Sequence, residues 1–341
     1  MYHHIHIIIL FFCGIVGSLS AQDLHFSQYY HHPLYLNPAL TGTMPEDFRA
    51  HAIYRSQWTA VPVPYRTVGG SYDTRWFTPR WKQARIGLGG WLQTDRSGDS
   101  QLTTTQIAIS GSYGRVLQSK HWLYIGAQTY LTQQYLPNLD LTFDEQFNGE
   151  QFDPTISPTE LLARNRTTIA DIGVGLNYQY QGKDKEANVG LGYSNILAAA
   201  RPFITRSAPS QLPKVNIYAE GRLWLTPKYG YSSGAFFTFQ GLSGGTWVYR
   251  QAVLHAGWMY RSSPKNKLAY TLHLGVHWRI AASLIPYIEV GRQQWRVMVS
   301  YDFTLSDFST ATQSRGGMEI GIRYAWKRVV PPSQRKACPV F

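Results

Sequence analysis

The sequence predicts an all-β protein: a transmembrane antiparallel up-and-down β-barrel of about 14 strands. Three observations lead there. Apolar and polar residues alternate with a period of two through most of the chain after residue 48. Aromatic residues make up 14% of the chain and charged residues only 15%, where soluble globular chains average about 25% charged. Connections between the alternating segments switch between long and short, the rhythm of a barrel with loops on one side of a membrane and tight turns on the other. Disorder needs few aromatics and many charges, so it is excluded as the main state. The slightly negative mean hydropathy argues against a helical membrane bundle. The longest mostly apolar run, Ile5 to Val16, falls short of the ~20 residues of a spanning helix.

The chain opens with a short apolar stretch, Ile5 to Leu19, followed by Ser20, Ala21 and Gln22. It reads as a signal peptide over residues 1–21, with His3 and His4 where Lys or Arg is usual. Phe11 and Phe12 are too bulky to make Cys13 a lipidation site. Cleavage removes Cys13 and no charge, so the mature chain keeps its formal +12 and one cysteine, Cys338. An internal disulfide is then impossible; a free thiol or an intermolecular pair remains. The positive charge is spread along the chain with no basic run, which argues against nucleic-acid binding.

Segmenting the alternation gives strands near 48–58, 66–77, 84–94, 102–116, 122–135, 168–181, 187–196, 213–225, 231–240, 246–261, 268–279, 284–292, 295–304 and 315–326. Their faces separate cleanly. Trp295, Val297, Val299, Tyr301 and Phe303 share one side of a strand whose other side is Arg296, Met298, Ser300 and Asp302. Ile172, Val174, Leu176 and Tyr178 alternate with Asp171, Gly173, Gly175 and Asn177. Many segments reach the ~9–11 residues that cross a bilayer as a tilted strand. One end of this barrel holds the loops at 59–65, 95–101, 136–167, 197–212, 241–245, 280–283 and 305–314. The other holds short turns and, with an even strand count, both termini. Nine of the lysines fall on or beside the short-turn end; only Lys214 does not.

The domain reading is therefore a signal peptide over 1–21, an N-terminal periplasmic arm over 22–47, an outer-membrane barrel over 48–326 and a basic periplasmic tail over 327–341. The arm is rich in Tyr, His and Pro, and its aromatics are expected to order it against the barrel. Inward-facing charges are expected at Arg55, Asp73, Arg75, Asp171, Glu220, Arg222, Arg296, Asp302, Glu319 and Arg323. Pairing is expected between Arg55 and Asp73, and of Asp302 and Glu319 with Arg323 and Arg296, in networks that block free diffusion. A solute pathway is the alternative use of the same charges. No HExxH, Walker loop, zinc cysteine pair or GxSxG occurs, and the glycines of Ile86–Gly90 lie inside an alternating strand with no helix after them. The expectation is a protein without enzymatic activity, cofactor or metal.

Motifs spread along the chain resemble one family. His25, Phe26, Ser27, Gln28, Tyr29 and Tyr30 lead into Pro33 and the run Leu36-Asn37-Pro38-Ala39-Leu40-Thr41-Gly42. Tyr54-Arg55-Ser56-Gln57-Trp58 follows on the first strand, then Gly70-Ser71-Tyr72-Asp73. Ser300-Tyr301-Asp302, Gly317-Met318-Glu319 and a terminal Cys338-Pro339-Val340-Phe341 complete the set. In this order the sequence is similar to the PorP/SprF membrane proteins of type IX secretion. Leu24 stands where a Pro is common, and Val340 where a basic residue is common. The resemblance implies an outer-membrane protein of a Gram-negative secretion and gliding-motility machinery, not an enzyme. It would assist export or surface anchoring of a cargo protein with a C-terminal sorting domain. It would also contact periplasmic or peptidoglycan-associated components. A porin or substrate-specific channel is the competing reading, and a membrane hydrolase a third. Lys327, Arg328, Arg335 and Lys336 of the tail, with the lysine-bearing turns, are the expected docking surface, anchored by Cys338 and Phe341.

Overall fold

The structure, a computed structural model, describes residues 26–57, 65–76, 83–98, 100–137, 146–149, 151–153, 155–156, 165–197, 212–243, 246–263, 269–306 and 315–328. Its strands are β1 (Phe48–Gln57), β2 (Tyr65–Trp76), β3 (Ala84–Ser97), β4 (Leu102–Gln118), β5 (His121–Tyr135), β6 (Arg166–Gln181) and β7 (Lys185–Ser194). They continue with β8 (Lys214–Trp224), β9 (Tyr229–Ser243), β10 (Thr246–Arg261), β11 (Tyr270–Arg279), β12 (Ser283–Arg292), β13 (Trp295–Thr304) and β14 (Arg315–Trp326). Each pairs antiparallel with its neighbours in sequence, and β1 pairs with β14 to close the barrel. Closure leaves no unpaired edge, the condition for a sheet to stand in lipid. The expected fold class and number of strands are the observed ones.

The alternation faces as the sequence predicts. On β4, Ile107 and Ile109 are 55% and 72% exposed on the outside, while Gln106 and Ser110, which flank them, are 7% and 1% exposed inside. A soluble barrel would reverse this, because water would be outside. Leu88, Leu92, Ile125, Leu131, Val189, Leu191, Leu274 and Val290 continue the outer apolar band. Pro286 of β12 has no N–H to give, and the β12–β13 ladder skips Ile285 and Pro286 before resuming at Tyr287.

The register also sorts the charges along the barrel axis. Antiparallel pairing sets Arg49 opposite Asp73 and Arg55 opposite Thr67 across β1–β2. Across β1–β14 it sets Arg55 opposite Glu319 and His51 opposite Arg323. Charges near the short turns and charges near the long loops therefore belong to separate layers.

Candidate functional site

Residues 26–47 run inside the barrel. The arm joins β1 at the short-turn end, where the Asp47 N–H donates to the Trp326 carbonyl at 3.0 Å and the Arg75 N–H donates to the Asp47 carbonyl at 2.8 Å. From there it climbs the lumen, reading backwards in sequence, to reach the layer of Arg55 and Glu319 near the long loops. Its path is made of short turns: a 3₁₀ turn at Tyr29–His31, a single helical turn α1 at Pro33–Leu36 and a second 3₁₀ turn at Pro38–Leu40. Pro33 and Pro38 start two of them, where a fixed φ favours the turn and no N–H is missed.

Apolar side chains of the arm meet walls around the circumference. Leu34 packs with Trp91, Ala108 and Tyr130 of β3–β5. Ala39 packs with Trp122 and Tyr124. Tyr29, Leu36 and Leu40 pack with Tyr218, Phe236 and Val253 of β8–β10, and the Tyr29 ring stacks on Phe236 at 4.7 Å. Burying each such side chain is worth roughly 1.5–3 kcal/mol. His32 is enclosed by Phe26 and Trp91, and burial pushes its imidazole pKa down to about 3, so it packs as a neutral ring.

Polar contacts fix the arm at three heights. Near the long loops, the Ser27 and Gln28 N–H groups donate to the two oxygens of Glu319 at 2.8 and 2.9 Å. Arg55 lies beside that carboxylate at 3.8 Å, and both Arg55 and Arg279 reach Asp302, at 3.5 and 3.0 Å. At mid-height Asn37 faces both ways. Its Oδ1 accepts from the Ala39 N–H at 2.8 Å, capping the arm's own turn. Its Nδ2 lies 3.0–3.2 Å from the carbonyls of Leu176 and Leu191 and the Tyr218 hydroxyl. His31 Nε2 meets Glu289 at 3.0 Å, and Arg296 holds the other oxygen of that carboxylate at 3.1 Å. Near the short turns, Arg49 forks onto Asp73 at 2.9 and 2.7 Å, Asp73 accepts the Gly42 N–H at 2.7 Å, and Arg49 also donates to the Leu40 carbonyl. Bidentate charged bonds of this kind are among the strongest side-chain contacts. Arg75 and Arg323 close the base onto Met44, Pro45, Asp47 and Glu46.

Three expected pairings are corrected by these contacts. Arg55 pairs with Asp302 and Glu319, not with Asp73, whose partner is Arg49. Arg323 pairs with Glu46 and Arg296 with Glu289, not with Asp302 and Glu319. The reason is distance along the strand: Glu319 and Arg323 are four residues apart, about 13 Å. Glu220 and Arg222 of β8 make no ion pair among the described residues, and Asp171 instead accepts the N–H groups of Ile172 and Leu197. Glu46, Arg49, Arg279 and Glu289 are absent from the sequence-based set of charges. Arg49 was legible, since it shares the inward face of β1 with Arg55.

Of the family-motif residues, Phe26, Ser27, Gln28, Asn37 and Pro38 are buried in the lumen. Tyr54 and Tyr301 lie on the lipid side, and Gln57 ends β1 at the long-loop rim. His25, Trp58, Cys338, Pro339 and Phe341 lie outside the described residues, as do the signal peptide and residues 329–341 of the tail.

Wall glycines make room for the arm. A Cβ on Gly126 would overlap backbone atoms of Pro38 and Ala39, and one on Gly175 would overlap the Asn37 side chain. Gly111, on β4, has space for one. Gly126→Val is therefore expected to loosen the arm by ~1–3 kcal/mol while sparing the strand ladder. Limited proteolysis checks this: the arm becomes cleavable in a barrel that still migrates as folded, whereas Gly111→Val keeps it protected. Equal protection of both variants contradicts the assignment. Beside the arm, toward β8–β10, a small cleft opens between Phe26, Tyr35, Lys214, Phe236 and Gln251.

A family model described as type IX secretion system membrane protein PorP/SprF matches residues 18–324. No curated protein sequence matches the chain. Among solved structures, the Ralstonia pickettii toluene transporter TbuX is similar with a TM-score of 0.50 and 12% identity, over 86% of this chain and 93% of that one. The TodX monoaromatic hydrocarbon channel deltaS2 mutant is similar with a TM-score of 0.52 and 7% identity, over 88% of this chain and 94% of that one. At such identities the likeness concerns the barrel fold alone.

Proposed function

The chain belongs to the PorP/SprF family of type IX secretion system membrane proteins, and from that premise we propose that it is a non-enzymatic accessory barrel of the outer membrane. It assists export or surface anchoring of a cargo protein bearing a C-terminal sorting domain, in secretion or gliding motility, and docks periplasmic partners. The observation that carries this reading is the arm itself. A lumen lined by charges but occupied by Ser27, Asn37 and Asp73-held Gly42 serves attachment better than passive diffusion. On this reading the long loops face outward and the short turns face the periplasm.

The docking part is supported by the junction at the short-turn end. There the Arg328 N–H donates to Asp47 at 2.8 Å and its guanidinium lies over Phe48, so the base of the tail touches the base of the arm. Lys120, Lys183, Lys185 and Lys228 stand in or beside the short turns at that end. A basic surface of this kind accelerates encounter with an acidic partner and makes it salt-sensitive. Deletion of residues 330–341 is the test. Barrel insertion should stay normal, while partner co-purification and cargo display are lost. If all three stay normal, the tail is dispensable and the docking assignment is wrong.

A further inference from the structure

The lipid face carries an arrangement that neither the arm nor the docking surface uses. Arg66 and Arg96 are direct cross-strand partners on β2 and β3. Both are exposed, and both lie on the outer side, since Thr67 and Gln93 on the opposite parity are 2% and 1% exposed inside. Both stand at the long-loop end, one residue from the limit of their strands. Directly opposed like charges on a sheet are destabilising unless something neutralises them. Among the described residues no carboxylate lies within ion-pair distance of either guanidinium. Arg96 gives one N–H to Gln101, at 2.8 Å. Asp95, its neighbour in sequence, faces the lumen side, where it accepts from the hydroxyls of Thr67 and Ser97. Asp99 lies outside the described residues.

A third cation, Arg315, without an ion-pair partner among the described residues, begins β14 at the same end and sits opposite the lipid-facing Phe303. Ser56 of β1 pairs with both Arg66 and Met318, so Arg315, three residues further along β14, lies roughly 14 Å from Arg66. Lysine is missing from this rim: among the described lysines only Lys214 lies at the long-loop end, and it is turned inward against Tyr35. The residue type chosen here is the one whose planar fork binds phosphate oxygens in pairs.

We propose that Arg66 and Arg96 form a binding site for the phosphorylated headgroup of a lipid in the leaflet on the long-loop side, with Arg315 on the same rim. The pair sits at interfacial depth above Val68 and Thr94, with Leu92 the next outward residue down β3, so the bound phosphate and the acyl chains of one lipid can be satisfied together. That geometry favours a lipid over a free anion, which would gain nothing from the apolar surface below. Occupation would neutralise the Arg–Arg repulsion and fix the rim of β2–β3.

The experiment uses the full barrel purified in mild detergent and native mass spectrometry with three probes: bisphosphorylated lipid A, the same lipid with its phosphates removed, and inorganic phosphate. The wild-type barrel should retain the phosphorylated lipid at least about tenfold better than the dephosphorylated one. Arg66→Gln with Arg96→Gln should abolish that preference while the arm stays protease-protected, and Arg66→Lys with Arg96→Lys should restore only part of it. If the double Gln variant fails to insert, Arg66→Gln alone and the wild-type comparison still decide. Equal retention of the two lipids, or an unchanged preference in the Gln variant, overturns the proposal. Displacement of lipid A by millimolar inorganic phosphate would make this a free-anion site and overturn the lipid assignment.

Discussion

Deletion of residues 26–44 is expected to convert a silent barrel into one that conducts ions in steady steps across a planar bilayer. The arm is the material that fills the lumen: it packs on β3–β5 through Leu34 and Ala39 and on β8–β10 through Tyr29, Leu36 and Leu40. Ordering some 20 residues costs roughly 1–2 kcal/mol each in backbone entropy. The buried aromatics and the carboxylates that receive Ser27, Gln28, His31 and Gly42 oppose that cost. The barrel itself should survive, because its ladder closes through β1 and β14 without any arm residue. The carboxylates left behind would face water in an open lumen and be solvated there. Planar-bilayer recording of both proteins makes the comparison. A steady, high conductance in the wild-type barrel would show that the arm does not seal it.

Asp302→Ala is expected to destabilise the barrel by ~3–5 kcal/mol, the loss typical of breaking one partner of a buried ion pair. Asp302 is shared by two guanidinium groups, Arg279 at 3.0 Å and Arg55 at 3.5 Å, and all three side chains are less than one-tenth exposed. Removing the carboxylate leaves two buried cations with Glu319 alone between them and the arm. Denaturant unfolding in detergent should report the loss. The double variant Asp302→Ala with Arg279→Met should recover part of it, since one orphaned charge goes with its partner. A loss under about 1 kcal/mol would mean that the cluster is hydrated and behaves like a surface pair.

Much of the barrel was legible in the sequence. Observed strand limits fall within three residues of the expected ones, even at the expected 231–240, which extends to Tyr229–Ser243. Period-two alternation is a local property, and lipid outside with polar groups inside enforces it on every strand. The charge layers were partly legible. Arg49 and Asp73 have lumen parity, and so do Arg55 and Glu319. Their pairing needs the register, which a hairpin fixes only once its turn is known. Arg55 and Asp73 share the lumen face of neighbouring strands at different heights: Asp73 meets Arg49 of β1, and Arg55 meets carboxylates of β13 and β14.

The sequence by itself determined that this chain is an all-β membrane barrel of the PorP/SprF type, because alternation, turn spacing and the arm motif are contiguous signals. Only the tertiary structure decided where the arm goes. Ser27 meets Glu319 across 292 positions of sequence, Asn37 meets Leu176 across 139 and His31 meets Glu289 across 258. No local pattern encodes such contacts. They exist because closing the sheet brings Gly126 and Gly175 around a space the width of the Asn37–Ala39 backbone, and places Glu319 and Asp73 against the N–H groups of Ser27, Gln28 and Gly42.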